Sequence, residues 1–251
     1  MFKLYFLTVA VAALLVQPVR IANAESSAQV QDDVVELDPA HTDIDFMLPG
    51  YLHTTHGRLT LKDGTIRIDP ATGKATGEVV IDAASEDSSE DLRDAITKHA
   101  VLEVDRNPEI TFTIQRIQGV RGAQGDFYGQ IAGLMQLHGE VHPITVWARG
   151  PLIGDQLTAT CDFLVPYTEW GLDSPNVLSP TQIINSIRRS NSGFITKIFP
   201  IFAYMLPALR KIPPDLFWVS DLVDVKVETS GHIIWAPQPE ARKVTVIVPQ
   251  H

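Results

Sequence analysis

The side chains in this sequence that are best suited to chemistry are its histidines, its carboxylates and a lone cysteine. His53 and His56 lie three residues apart beside two threonines. On a strand or loop this spacing places the two imidazoles on opposite sides, and neither a cysteine nor a nearby carboxylate cluster completes a tetrahedral set of ligands. We therefore favour solvent-exposed histidines, or histidines at the rim of a barrel, over a metal site.

The sequence also offers few candidates for nucleophilic or acid–base catalysis. Cys161 has no neighbouring histidine, and neither a Gly-x-Ser-x-Gly elbow nor a glycine-rich phosphate loop occurs. Asp82, Asp91 and Asp94 could supply acids, but Asp91 and Asp94 suit the N-terminus of a helix, whose partial positive charge favours them. We predict no catalytic residues and no cofactor. An enzyme remains an alternative, because catalytic groups need not be close in sequence.

The first residues have the pattern of a targeting segment. Lys3 precedes an apolar run over residues 4–16, and residues 22–24 read Ala-Asn-Ala, a small-x-small cleavage pattern. We expect residues 1–24 to be a cleavable signal peptide rather than a membrane anchor, because the apolar run is shorter than the roughly 20 residues that a span needs. The expected location is the periplasm or the exterior of the cell. The formal net charge of −10 argues against a nucleic-acid partner.

Alternating apolar residues predict β-strands along most of the chain. The clearest pattern covers residues 125–147, where apolar residues recur at every second position on both sides of a turn-rich break at 138–143. Gly129 and Gly133 within its first strand indicate a bend or a close approach by another group. About eight strands ordered as hairpins, with one helix near residues 88–99, predict an antiparallel barrel or sandwich.

Two local patterns are less decisive. Residues 57–69 carry two apolar runs separated by Lys-Asp-Gly, which fits either a hairpin turn or a bulge in one bent strand. Residues 217–228 read as the closing strand. The four tryptophans could line a ligand site, but core positions are more common for this residue and we favour them. They are Trp147, Trp170, Trp218 and Trp235.

Four motifs, in order along the chain, resemble the YceI-like, lipid-binding family. They are Leu-Asp-Pro-Ala-His-Thr at 37–42, Ile-Asp-Ala-Ala-Ser at 81–85, Asn-Pro-Glu-Ile-Thr-Phe at 107–112 and Leu-His-Gly-Glu-Val-His-Pro-Ile at 137–144. The resemblance implies an all-β fold, an eight-stranded antiparallel lipocalin-like barrel with one helix. It also implies a location that is often periplasmic and a polyisoprenoid or other long apolar chain in the lumen. It does not imply catalysis.

The resemblance places a barrel domain at residues 34–230, with a mostly helical, amphipathic insertion at 179–215 before the last strand and a C-terminal extension at 231–251. The lumen is expected to be lined by inward-facing apolar side chains that bind the ligand. These are Phe46, Ile81, Phe112, Phe127, Ile131, Met135, Leu137, Val146 and Phe163.

The insertion is basic and apolar in a protein that is otherwise acidic. No acidic residue occurs between Asp173 and Asp215. The insertion could form an extra helical layer across the barrel mouth, a foot on an anionic membrane surface, or the interface of a partner or homodimer. If it lies near the mouth, Arg188, Arg189 or Arg210 could pair with a phosphate head group.

These observations together predict a protein that binds a long apolar lipid, such as a polyisoprenoid or acyl chain, for transport or sequestration. Burial of hydrocarbon would supply the driving force, at about 0.8 kcal/mol for each CH₂ group removed from water. The alternative is a structural or interaction protein whose barrel is filled by its own side chains. In that case the insertion would dock a membrane or a partner.

Overall fold

Eight antiparallel strands form a closed barrel in the part of the chain that the computed structural model describes, which is residues 32–69, 72–121, 126–173, 180–189 and 219–237. The strands are β1 (Asp33–Leu48), β2 (Thr55–Ile68), β3 (Lys74–Asp87), β4 (Glu109–Arg121), β5 (Asp126–Leu137), β6 (Glu140–Ile153), β7 (Gln156–Val165) and β8 (Val223–Ile234). Each strand pairs with its neighbours in sequence, and β8 pairs with β1 to close the barrel. The predicted all-β, eight-stranded antiparallel barrel is confirmed.

The helical segments lie in the connections at one end of this barrel. Helix α1 (Asp91–Ile96) continues into a π-helical turn (Thr97–Val101), and together they join β3 to β4. A 3₁₀ turn (Tyr167–Trp170) follows β7, and helix α2 (Pro180–Arg189) packs against α1 and the π-helical turn. No helix in the described ranges is both long enough and apolar enough to cross a membrane.

The pattern at residues 57–69 belongs to one strand with a bulge. Leu61 pairs with Ile81, whereas Asp63 pairs with Val80, so the register shifts by one residue between these pairs. An extra residue on one strand is the definition of a β-bulge, and it bends the strand locally. The Asp-Gly pair therefore lies within β2 and does not form a hairpin turn.

The hairpin of β5 and β6 has a shorter turn than the sequence indicated. Strand pairing continues without a register shift from Asp126, opposite Pro151, to Leu137, opposite Glu140. The turn is only His138-Gly139, with φ angles of 53° and 83°. Positive φ at both central residues is the requirement of a type I′ turn, whose twist matches the twist of paired strands. Of the predicted break at residues 138–143, only residues 138 and 139 form the turn, and residues 140–143 belong to β6.

Gly133 in β5 allows a close approach between neighbouring strands. A Cβ atom at this position would lie 2.7 Å from Cε2 of Phe112 and would also collide with the carbonyl oxygen of Thr113. The aromatic ring of Phe112 occupies the space that a side chain would need. A close approach by another group, as the sequence suggested, explains this glycine.

The closing strand differs from its predicted position. β8 begins at Val223 and continues to Ile234, so it extends beyond the predicted end at residue 228 and into the segment named above as a C-terminal extension. Ile233 is buried in the core. The signal peptide at 1–24, residues 190–215 of the insertion and residues 238–251 lie outside the described residues.

The tryptophans occupy both sides of the barrel wall. Trp170 is buried, in agreement with the predicted core position. The core prediction is wrong for Trp147 and Trp235, each 46% exposed. Trp147 alternates along β6 with inward-facing neighbours, so its ring points outward and stacks on Tyr128 at a centroid distance of 5.0 Å. Trp218 lies outside the described residues.

Candidate functional site

The interior of the barrel is divided into a closed half and an open half. The closed half lies near the turns that join β2 to β3 and β6 to β7. Buried side chains from different strands form its core cluster: Val35, Ile66, Ala75, Ile114, Leu152 and Ile233. Because these side chains pack against one another, this end of the barrel is filled by the protein itself.

The open half encloses a cavity of about 660 Å³. Its wall comes from the strand ends beside the β1–β2 loop and α1. Most of the side chains on this wall are apolar, and Ile44, Leu59, Ile110 and Val225 are examples from four different strands. A volume of this size falls within the range of about 300–1,000 Å³ that is typical of sites for small molecules. The open half is therefore the candidate binding site.

The side chains expected to line the lumen are distributed between the two halves. Those that line the cavity are Phe46, Ile81, Met135, Leu137 and Phe163. Those that do not line it are Phe112, Phe127 and Ile131, which pack against the core of the closed half, and Val146, which is buried elsewhere in the barrel. All nine face inward or are at least partly buried. Their depth along the barrel axis decides which of them can meet a ligand.

The mouth of the cavity is formed by the β1–β2 loop, α1 and the segment after β7. Tyr51 and Leu52 of the loop line the cavity and are 70% and 61% exposed. Leu92 of α1 and the buried Leu172 after the 3₁₀ turn also line the cavity. Exposed apolar side chains beside an apolar cavity are a common feature of sites that exchange an apolar ligand.

The basic residues predicted to meet a head group are not part of the cavity wall. Arg188 and Arg189 lie at the end of α2 and are exposed, and Nη1 of Arg189 is 3.3 Å from Oδ2 of Asp105. Arg210 lies outside the described residues. Contact between these side chains and a phosphate stays a prediction.

Glu86 is a cavity-lining carboxyl that the sequence did not indicate. Its side chain is 2% exposed, and its Oε2 atom has no hydrogen-bond partner among the described residues. Burial is the largest cause that raises the pKa of Glu86 to about 8, and the Asp94 carboxylate adds to it, whereas Lys98 and Arg93 act in the opposite direction. At neutral pH the carboxyl is therefore mainly protonated, so it can both donate and accept a hydrogen bond.

Arg93 lies beside Glu86 on the same wall and is held by its own contacts. Its Nε donates to Oγ of Ser88 at 2.7 Å, and its Nη2 donates to the Ser88 carbonyl at 2.8 Å. Nη1 lies 3.5 Å from Nε2 of His53, which also lines the cavity. The Ser88 N–H donates to Oδ1 of Asp94 at 3.0 Å, which ties the start of α1 to the end of β3.

An irregularity in β3 explains why strand periodicity did not reveal Glu86. Val79, Ile81 and Ala83 alternate inward, and the same rhythm would next bring Ser85 inward. The pairing with β2 shifts between Asp82, opposite Thr60, and Asp87, opposite Arg58. Ser85 instead uses its Oγ to accept a hydrogen bond from the Thr60 N–H at 2.8 Å. The side chain of Glu86 therefore points into the barrel, although strict alternation along β3 would place it outside.

The remaining candidates for chemistry do not converge on the cavity. Among the residues that the structure describes, no group of three or more His, Cys, Asp or Glu side chains is placed to hold a metal ion. Cys161 is a partly buried free thiol. Burial, with a smaller effect of the Asp162 carboxylate, raises the pKa of Cys161 to about 11. The thiol is therefore protonated at neutral pH and a poor nucleophile.

Comparisons with known proteins agree with this architecture. The model of the YceI-like domain family matches residues 36–188. No curated protein matches the chain.

Two of the solved structures that match the chain illustrate the shared fold. BcnA from Burkholderia cenocepacia is 14% identical, and the match covers 77% of this chain and 98% of BcnA with a TM-score of 0.51. A polyisoprenoid binding domain from Saccharophagus degradans, implicated in plant cell wall breakdown, is 15% identical, and the match covers 79% of this chain and 97% of that domain with a TM-score of 0.52. At these identities the similarity concerns the fold alone.

Proposed function

Because this chain belongs to the YceI-like domain family, we propose that its barrel binds a long apolar lipid, such as a polyisoprenoid or an acyl chain, without transforming it. The observation that carries this proposal is the apolar cavity of about 660 Å³ in the open half of the barrel. Each CH₂ group that moves from water into this cavity contributes about 0.8 kcal/mol. A chain of many such groups is therefore bound tightly with few polar contacts.

The fold comparison supports the same ligand class. The domain from Saccharophagus degradans that shares this fold is a polyisoprenoid binding domain. An isoprenoid is a linear, methyl-branched chain that is apolar and flexible, which suits a cavity whose wall is built from aliphatic and aromatic side chains. The expected location is the periplasm, where such a protein would carry or sequester a lipid between membranes.

The alternative, a structural protein with a filled barrel, fits only half of the interior. The closed half is packed by side chains such as Ile114 and Leu152. The open half retains a cavity, and maintaining an apolar cavity lowers stability because its walls lose packing contacts. A cavity of this size is better explained by a ligand that occupies it.

Filling the cavity should abolish lipid binding. We expect native mass spectrometry of the purified full-length protein to show a mass increment that organic extraction identifies as a lipid. Ile81→Trp on β3 and Val225→Trp on β8 each place an indole in the cavity, so both variants should lose the increment and should bind an added isoprenoid at least about tenfold more weakly.

The matched control for this experiment is Glu78→Trp, which adds the same side chain to the outer, exposed face of β3. This variant should bind lipid like the unsubstituted protein. Thermal unfolding of all variants establishes that they are folded. Lipid binding that survives in both folded cavity variants would contradict the proposal, and so would a protein that neither copurifies with a lipid nor takes one up.

The exposed apolar rim should control how fast lipid enters. We propose that Tyr51 and Leu52 contact the membrane surface from which the ligand is collected. The double variant Tyr51→Ser, Leu52→Ser should take up a fluorescent isoprenoid from phospholipid vesicles several-fold more slowly, because less apolar area inserts into the bilayer interface. Uptake of the same probe from detergent-free solution should change little. Equal rates from vesicles for both proteins would exclude a role of this rim.

A further inference from the structure

Glu86, Arg93 and His53 are neighbouring polar side chains on the wall of the cavity. Glu86 is 2% exposed there, and its Oε2 atom has no hydrogen-bond partner in the described part of the protein. Most buried polar groups in proteins are paired, so a buried oxygen without a partner calls for an explanation. A ligand that supplies the missing partner is such an explanation, because this oxygen belongs to a side chain that lines the site.

We propose that Glu86 recognises the polar end of the bound lipid, and that this end is a neutral oxygen group, a hydroxyl or a carbonyl. This inference rests on the proposed function and adds the chemistry of the head group to it. A neutral carboxyl pairs with a hydroxyl through two complementary hydrogen bonds, since each group is both a donor and an acceptor. A carbonyl oxygen accepts a hydrogen bond from the carboxyl.

The surroundings of Glu86 favour a neutral head group over a charged one. The charged groups that act on it are Asp94 and Asp87 on the negative side and Arg93 and Lys98 on the positive side. These charges are balanced in number, and among the other charged side chains that line the cavity Glu90 is negative and Arg93 is positive, so the wall has no surplus charge to attract an ion. A phosphate would lose its hydration on entering an apolar cavity without meeting a dedicated cation, which is a large cost.

The contacts of Arg93 point to the same conclusion. Two of its nitrogens, Nε and Nη2, are occupied by the side chain and the carbonyl of Ser88. The Nε–Nη2 edge of the guanidinium is therefore engaged, and it does not present the two parallel donors that make arginine a strong receptor for phosphate or carboxylate. It acts instead to hold the start of α1 beside Glu86.

The hydroxyl and its hydrocarbon analogue provide the direct test. The probes are geranylgeraniol, the hydrocarbon of the same chain that ends in methyl, the corresponding amine and the corresponding monophosphate, each measured at pH 7 by displacement of an apolar fluorescent dye. The unsubstituted protein should bind the alcohol about tenfold more tightly than the hydrocarbon, after correction for the different solubility of the two probes in water.

Two substitutions separate hydrogen bonding from shape. Glu86→Leu should lose the preference for the alcohol and bind the hydrocarbon at least as tightly as before. Glu86→Gln should keep most of the preference, because an amide also donates and accepts. Glu78→Leu, on the exposed face of the same strand, should behave like the unsubstituted protein.

Three outcomes would overturn the inference: a preference for the alcohol that survives Glu86→Leu in a folded protein, tighter binding of the amine than of the alcohol, or tighter binding of the monophosphate. Tighter binding of the amine would indicate a cationic head group, and tighter binding of the monophosphate would indicate an anionic one. If none of the four probes binds, including the hydrocarbon, the proposed lipid-binding function itself fails. Binding of the hydrocarbon probe thus distinguishes a wrong head-group assignment from a wrong proposal of lipid binding.

Discussion

At pH 9 the Glu86→Gln variant should be more stable than the unsubstituted protein by roughly 3–5 kcal/mol, whereas at pH 5 the two should differ by less than about 1 kcal/mol. The reason is that the pKa of Glu86 is raised from 4.5 to about 8 in the folded protein, with burial as the main cause. Glutamine is neutral at every pH, so the variant carries no charge to bury.

The sign follows from the protons that each state binds. Between pH 4.5 and pH 8 the folded protein keeps the proton on Glu86, whereas the unfolded chain releases it. The free energy of unfolding therefore falls as the pH rises through this window, and the stability that the bound proton provides is gone above pH 8. Below pH 4.5 the carboxyl is protonated in both states and has no effect on the pH dependence.

Urea unfolding followed by circular dichroism at intervals from pH 5 to pH 9 measures this difference. The control is Glu78→Gln, which removes an exposed carboxylate from the same strand and should shift stability by only about 0.5 kcal/mol or less at any pH. Stability curves of the Glu86→Gln variant and the unsubstituted protein that run parallel across this range would show that Glu86 is ionised in the folded state. A bound lipid would add to stability, so the protein is delipidated first.

For the side chains predicted to line the lumen, the sequence was sufficient for their direction but not for their depth. A period of two places Phe46 and Phe127 on the inner face of their strands equally well. One of them lines the cavity and the other packs in the closed half. Depth along the barrel axis depends on the stagger between neighbouring strands, which is fixed by pairing partners distant in sequence. The volume of a cavity also depends on which large aromatic side chains occupy the interior.

Phe112 illustrates this second dependence. Its pattern on β4 predicts an inward ring, which it has. The ring also fills the space above Gly133 of β5, and it packs against the core cluster of the closed half and against a second buried cluster that includes Met135 and Trp170. The ring can fill this space only because β4 and β5 are paired strands. The sequence predicted that Gly133 allows a close approach by another group. It could not identify that group as the ring of Phe112.

Glu86 shows the opposite situation, in which a local irregularity hides a site residue. Strand periodicity through Ile81 and Ala83 predicts its side chain on the outside, together with an ordinary solvated carboxylate. The bulge opposite Leu59 reverses this orientation. Bulges commonly re-aim a side chain next to a functional site. A polar residue near the end of a strand does not by itself indicate a bulge, so the sequence did not predict this orientation.

The largest loss of stability from a single truncation should come from Trp170→Ala, at about 3–5 kcal/mol. Trp170 is 2% exposed, and its Nε1 donates a hydrogen bond to the carbonyl of Met135 at 3.0 Å. Its ring also packs edge-on against His142 at a centroid distance of 4.9 Å. The 3₁₀ turn that carries it is thereby fixed to β5 and β6, so truncation removes both the packing and the donor. Urea unfolding at pH 7 measures the change.

Trp147→Ala is the matched control, because it removes the same side chain from the outer face of β6. Trp147 is 46% exposed and stacks only on Tyr128 among the aromatic rings of the described residues, so its loss should cost about 0.5–1.5 kcal/mol. Trp170→Phe should fall between the two, since it retains an aromatic ring but not the Nε1 donor. Equal losses for Trp147→Ala and Trp170→Ala would contradict the conclusion that Trp170 fixes the 3₁₀ turn to β5 and β6. Because Trp170 clusters with Met135 and Leu137 of the cavity wall, its truncation should also weaken isoprenoid binding in the fraction that remains folded.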